Sequence, residues 1–573
     1  MKRAEEVDSQ YDFQYFTGLL QLWICGTRWP NKVQILGIQK ACNGPAFSQK
    51  YDIIWEHAYL LCGVIFCVDE NSPFRHIIKG RTHPVSPKDP LVLRKISQWL
   101  EETTGQSRCV PSSDKLPSRL LHIKDEGARL SVIATSNQTV NYVALSHCWG
   151  SVQRMTLTKD SFDLLKEGVE TSSLPQSFQD AIWLTHRLGI QYLWIDSLCI
   201  LQDSLQDWVH ESARMRDVYE NAWVTIAASK ASCSVEGFLG NQERHEHVSI
   251  PYQRGILSGE VVASNIPIDY VGRNCTNLTQ RVYLDEEPLT TRGWALQERF
   301  ISRRTLHFSQ SQVMFEHDGL VFTQDNCDPV PIDSYNPMRS TTRHDWYSVV
   351  QQFSARDLTK ESDKLPALGG LAAYFAVRLL NGKDSEYLAG LWREDMVSGF
   401  CWTLCTLYVQ TPLGARPKSY HAPSWSWAAI DCKIEHWGNG ISGHELAIVE
   451  DARTNLVSLE SPFGEVQGEP YYRPARGETT DVAKGETDLR FIPMGYDYVE
   501  VGQPETIVRV FYLVVKQVKH EVAQHPDLKG FQRVGAGFAG PVPPSGDDDL
   551  ERLVTGKWMK MKHTDQLEGI ILI

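Results

Sequence analysis

His147 and Cys148 stand side by side, the combination of base and thiol that nucleophilic catalysis uses. Immediate neighbours along an extended strand point to opposite faces, however, so the two cannot readily share a proton, and a cysteine hydrolase is disfavoured. Two carboxylates are better placed. Asp196 ends the apolar run Tyr192-Leu-Trp-Ile195, where an unpaired charge would be expensive. It reads either as a ligand-binding or catalytic carboxylate, or as a loop cap or a partner for Arg292 or Arg299. Glu211 lies three residues after Trp208 and four before Met215, which puts it at the rim of a helical apolar face. A partly buried carboxylate there shifts towards its neutral form unless paired. The plain alternative is a surface pair with Arg214 or a hydrogen bond to the neighbouring loop.

Trp149, Trp194 and Trp294 offer rings that stack on a base, or they fill the core as large aromatics usually do. Glu298 and Arg299 either face a ligand or form a salt-bridged helix start that holds the following hairpin. No metal site is expected. The pairs Cys62/Cys67 and Cys401/Cys405 enclose largely apolar residues, and no two ligand pairs have zinc-like spacing. A Gly-rich phosphate loop ending in Lys-Ser/Thr is also missing from the sequence.

The elements that must position these residues are clearest from Tyr142 onward. Tyr142–Ser146 is a short apolar run stopped by Trp149-Gly150 and suits a buried strand. Leu174-Pro175 opens a helix whose apolar positions (Phe178, Ala181, Ile182, Thr185, Leu188) keep helical spacing until Gly189. Tyr192–Ile195 reads as a second strand running on through Asp196 to Ile200. Asp203, with Gln206 three residues later, resembles a capping box for a helix along Trp208, Ser212, Met215, Tyr219 and Ala222. Trp223–Ala228 is a third strand. Strand, helix, strand, helix, strand is the order of a parallel α/β sheet flanked by helices. In such a sheet ligands sit outside the carboxyl ends of the strands, so Ser146–Gly150 and Asp196–Asp203 are expected to face one crevice.

Outside this core the signals are local. Leu91–Glu102 reads as a helix and Leu116–Ile133 as a turn with short strands. Thr305–Ser309 and Gln312–Glu316 alternate as a β-hairpin. Lys364–Leu380 looks helical, Ser424–Ala429 strand-like, and 460–490 and 540–550 read as exposed loops. With 573 residues the chain exceeds one core, and three regions are expected: 1–125 of mixed pattern, 126–330 containing the α/β sheet, and a β-rich α+β region over 331–573.

Apolar residues at 42% and charged residues at 22% describe a folded protein. The formal charge of −13, with no Lys/Arg run beyond pairs such as Arg303-Arg304, argues against DNA or RNA as partner. The charged start Met1–Gln10 lacks the core of a secretory signal, and no apolar stretch approaches the roughly 20 residues of a membrane span. Many of the 13 cysteines sit inside apolar runs, the habit of reduced core thiols, so a cytoplasmic location is expected.

Three ordered blocks resemble the heterokaryon-incompatibility (HET) domain of filamentous fungi. They are Tyr142-Val-Ala-Leu-Ser-His-Cys-Trp-Gly150; Leu174-Pro175 through Tyr192-Leu-Trp-Ile-Asp-Ser-Leu-Cys-Ile200 to Asn221-Ala222; and Arg292-Gly-Trp-Ala-Leu-Gln-Glu-Arg299. Asp363–Ala367 and Pro423–Trp427 look like segments that follow the domain in long members. The match departs at His147, where tyrosine is commoner, and at His317, where cysteine is expected. The resemblance implies vegetative incompatibility, non-self recognition and programmed cell death, a form of fungal innate immunity. It also implies a distant likeness to the TIR domain, a doubly wound fold of the broader Rossmann-like class, whose enzymatic members cleave NAD between nicotinamide and ribose. On that reading Glu211 and Asp196 are the catalytic candidates. Ser146, His147, Cys148, Trp149, Gly150, Gln202, Asp203 and Trp294 would bind the nucleotide. NAD would be substrate, with no cofactor required. The alternative is a non-enzymatic module that relays the signal through a protein partner or self-association.

Overall fold

The central strand forms where a short apolar run is closed by a turn, and it sets the frame for the rest. In the computed structural model, residues 58–104, 116–135, 140–151, 155–243, 247–254, 257–266, 287–325, 330–331, 343–379, 386–404 and 420–436 are described, residues 77 and 79 excepted. Residues 454–457, 463 and 466–467, and the strands at 19–26, 33–40, 489–500, 506–521, 529–542 and 571–572, are described as well. The expected exposed loops at 460–490 and 540–550 lie largely outside the described residues. The chain forms two units. One comprises Met1–Asp207, Asp217–Thr291 and Ser302–Asn336; the other comprises Trp208–Arg216, Arg292–Ile301 and Pro337–Ile573.

The first unit holds a ten-stranded sheet. Along the chain its strands are β1 (Arg119–Lys124), β2 (Arg129–Ala134), β3 (Val143–Ser146), β4 (Val169–Glu170) and β5 (Tyr192–Trp194). They continue with β6 (Val224–Ala227), β7 (Arg304–Phe308), β8 (Val313–His317), β9 (Leu320–Thr323) and β10 (Val330–Pro331). Their spatial order is β10-β9-β8-β7-β6-β3-β5-β1-β2-β4. The α/β class expected from the sequence is present, but the sheet is mixed. Only β5, β3, β6 and β7 run parallel to their neighbours within this block, while β1 and β8 join its two edges antiparallel. The hairpin expected near residue 310 is the β7–β8 pair. A second sheet of the same unit pairs Ala58–Val68 with Leu19–Gly26 and Leu257–Ile266.

Helices carry the chain between the parallel strands. α1 (Pro90–Thr104) precedes the sheet and stacks Trp99 on Phe315 of β8 at 5.8 Å. α2 (Gln176–Arg187) joins β3 to β5 and buries Phe178, Ala181, Ile182 and Leu184. It stops where the sequence indicates, at Gly189, whose φ of +75° suits only a residue without Cβ strain. The expected long second strand is corrected. It ends at Trp194, and Asp196–Cys199 is a helical turn, α3. Buried helical and extended segments are equally apolar, so periodicity cannot part them. The next helix is split into α4 (Leu205–Ala213) and α5 (Met215–Asn221). Its cap is Ser204, whose hydroxyl accepts from Asp207 N at 3.3 Å, rather than Asp203.

One charged side chain is built into this core. Asp180 of α2 is 3% exposed and its Oδ2 accepts from Phe238 N at 2.9 Å and Leu239 N at 3.0 Å. Gln176 Nε2 donates to Oδ1 at 3.0 Å, and the Lys88 ammonium stands 3.6 Å away. A Cβ at Gly237, where φ is +74°, would fall 2.7 Å from Asp180 Oδ2, so the loop closes on the carboxylate only as glycine.

In the second unit, α6 (Gly293–Ile301), α7 (Arg343–Ser354) and α8 (Pro366–Leu379) surround an aromatic core. Trp346 meets Phe375, Tyr387 and Trp392 edge-on. The segment Ser424–Ala429 is not a strand. It turns into a short 3-10 helix, Trp427–Ala429, and Trp427 donates through Nε1 to Gly390 O at 3.1 Å.

Removing the Asp180 carboxylate leaves two buried backbone N–H groups without their acceptor, each costing roughly 1–3 kcal/mol. Asp180→Ala is expected to lower stability by about 2–4 kcal/mol, and Asp180→Asn, which keeps one acceptor oxygen, by less. Urea midpoints of the three proteins check the order.

Candidate functional site

The carboxyl ends of β3 and β5 meet through side chains. Trp149, three residues past β3, donates its indole N–H to Asp196 Oδ2 at 2.7 Å. The other oxygen of Asp196 accepts from Ser197 N at 2.7 Å, closing the first turn of α3. His147 is 1% exposed and packs edge-on against Phe178 at 5.2 Å. Its Nδ1 lies 3.9 Å from Asp196 Oδ1. Gln202 Nε2 donates to Ile200 O at 2.9 Å and to Asp196 O at 3.4 Å, which ties the end of α3 to its beginning.

The loop after β6 closes the other side. Ser234 donates from N (3.4 Å) and Oγ (3.1 Å) to Trp149 O. Ala228 N donates to Ser146 O at 2.9 Å. Gly150 has φ +78°, and a Cβ there would lie 2.4 Å from Cys233 Cβ. The indole of Trp149 is therefore held at both ends, by its backbone from Ser234 and by its ring nitrogen from Asp196.

Residues 142–298 match the family model described as Heterokaryon incompatibility protein (HET). The chain carries a HET domain. No curated protein and no solved structure matches the chain. The matched span begins beside β3, runs through β5 and β6, and ends in α6. Among the described residues of this HET protein, no helix is long and apolar enough to cross a membrane.

Of the residues singled out in the HET domain, Ser146, His147, Cys148, Trp149, Gly150, Asp196 and Gln202 gather at these strand ends. They differ in what they offer. Ser146, His147 and Cys148 are buried, whereas Trp149 and Asp196 are partly exposed and Gly150 is exposed. Asp203 is exposed and accepts from Lys159 N at 3.0 Å, so it holds the 155–160 segment. Glu211 and Trp294 belong to the second unit. Glu211 is buried on α4. Trp294 donates its indole N–H to Asp363 Oδ2 at 3.1 Å. Burial pushes the Asp363 carboxyl up, against the opposing pull of the Trp294 N–H, the Lys360 charge and Ser362. Sequence reasoning did not single out Cys233 and Ser234 of the loop after β6. The one signal there is the run of small residues from Ala231 to Ser234, which permits close backbone approach.

Two outcomes test this geometry. A double-mutant cycle between Trp149→Phe and Asp196→Ala should give a coupling of about 1–2 kcal/mol in stability, since each change removes the bond between indole and carboxylate. Additive effects would deny the bond. For Asp363, a raised carboxyl means the folded state keeps its proton longer than the unfolded chain. Its contribution is full below the unfolded value and is lost as pH rises through the folded one. Asp363→Asn is therefore expected to flatten the fall in melting temperature above about pH 4.

Proposed function

We propose that this protein, whose HET domain suggests a role in heterokaryon incompatibility, acts there as a cell-death effector after non-self recognition, and that the strand-end crevice of its first unit binds a nucleotide, with NAD as the candidate substrate. The observation that carries this reading is the position of Trp149. Taken along the chain, the four parallel strands lie in the order second, first, third, fourth. That is the order of flavodoxin-like doubly wound sheets, whose ligands bind where the strand connections reverse direction, between the first and third strands. Here those strands are β3 and β6, and Trp149 follows β3. Its partly exposed indole, fixed at both ends, offers a face for an adenine or nicotinamide ring. The distant likeness to TIR domains that the resemblance implies would be one of fold, and it offers the reaction only by analogy.

In that reaction water would replace nicotinamide at the ribose carbon, yielding nicotinamide, ADP-ribose and a proton. The developing oxocarbenium ion needs a nearby carboxylate. Of the two carboxylates proposed, Asp196 lies at these strand ends, where its oxygens hold Trp149 Nε1 and Ser197 N, whereas Glu211 counts with the second unit and is proposed from the resemblance alone. The same observation favours a second reading, in which the crevice binds without reacting and the signal passes by assembly with a protein partner or a second copy.

The full-length chain incubated with NAD should release nicotinamide. Asp196→Asn and Glu211→Gln are the variants to compare, and loss of the carboxylate that acts should lower the rate by roughly a hundredfold or more. Trp149→Ala should act mainly on KM. Cell death with neither nicotinamide release nor a fall in cellular NAD would overturn the enzymatic reading in favour of assembly.

A further inference from the structure

We propose that Glu361, His421 and Asp431 of the second unit form a binding site for a divalent cation of the zinc class. One ligand atom from each lies within 4.8 Å of the others. His421 Nε2 stands 3.5 Å from Glu361 Oε2. That is longer than the roughly 2.7–3.2 Å of a good N–H···O bond. It is close to the separation of about 3.4 Å between two donors bonded at about 2.0–2.1 Å to one tetrahedral ion. The imidazole is 6% exposed, whereas both carboxylates are exposed, so an ion can enter from solvent and meet the nitrogen at the bottom.

The donor set suits such an ion. One neutral imidazole and two carboxylates balance a double positive charge, and imidazole favours zinc and its neighbours over magnesium or calcium. The neutral ring is the ligating form.

Lys364 fixes the site and competes with it. Its ammonium donates to Asp431 Oδ1 at 2.9 Å and also to the Ile430 carbonyl. These bonds fasten the 3-10 turn Glu361–Lys364 to the segment that carries Asp431. They also leave a positive charge beside the ion. A carboxylate has about four acceptor positions, so Asp431 can serve both cations, and Lys364 can fall back on Ile430 O. The charge of Lys364 should nonetheless weaken binding.

This makes the test two-sided. The full-length chain is stripped with a chelator and titrated with Zn2+ by calorimetry, and with Co2+ followed by visible absorption. One equivalent is expected, with tetrahedral Co2+ d–d bands and no thiolate charge-transfer band. Glu361→Gln, at an exposed position, should weaken Zn2+ at least tenfold, and so should His421→Ala. Lys364→Met should tighten it by a similar factor. A merely structural ion pair would give neither the stoichiometric binding nor the opposite sign at Lys364. Binding unchanged by Glu361→Gln and Lys364→Met, a thiolate band, or no stoichiometric uptake would each overturn the site.

Discussion

The strand Val143–Ser146 is the fixed point on which the candidate site depends. Both of its edges are taken, by Tyr192–Trp194 on one side and Val224–Ala227 on the other, and all four of its residues are buried. Buried backbone groups must keep their partners, so this strand cannot slide without breaking two ladders at once. Tyr142 reinforces it by donating its hydroxyl to Val218 O at 2.6 Å, and Tyr219 donates to Leu145 O at 3.3 Å. Whatever follows Ser146 is therefore delivered to one place. A tight turn at Gly150 then leaves room for Cys233, and the small side chains after the third parallel strand complete the enclosure.

Within that frame the chemistry is distributed unevenly. The residues with obvious reactivity, His147 and Cys148, are buried, and His147 packs against Phe178. The partly exposed groups are an indole and a carboxylate bonded to each other. A carboxylate that receives an indole N–H on one oxygen and a backbone N–H on the other spends its directional capacity on orientation. The site is thus built first as a rigid ring-presenting surface.

The sequence made the frame legible and left the bonds inside it hidden, for physical reasons. Tyr142–Ser146, the helix from Pro175 to Gly189 and the hairpin near residue 310 announce themselves through apolar runs, proline and glycine. The end of the second parallel strand does not, because Ile195–Ile200 is apolar whether extended or helical. Asp203 and Ser204 are adjacent capping residues, and only the bond from Asp207 N decides between them. Asp180 stands on a helical face that periodicity marks as apolar, and its role depends on a glycine turn far along the chain. Glu361, His421 and Asp431 share no spacing at all; they meet through the Lys364 bonds.

The last block of the family match shows that membership by sequence and membership by packing are different things. Residues 292–298 close the matched span, yet they count with the second unit. Gln297 is buried in α6, and its Oε1 accepts from Gly370 N at 2.7 Å and Leu371 N at 3.3 Å, both on α8. A Cβ at Gly370 would come within 2.8 Å of the same oxygen, so the two helices touch through glycine. Gly293 N donates to Asp357 O, and Trp294 donates to Asp363. A chain cut at residue 298 would keep the sequence signature but strip Gln297 of two donors and Trp294 of its acceptor. Gln297 and Trp294 of this block are therefore accounted for by the hold they give on the start of α8 and on Asp363. Their presence in the family signature need not mean that they touch a ligand.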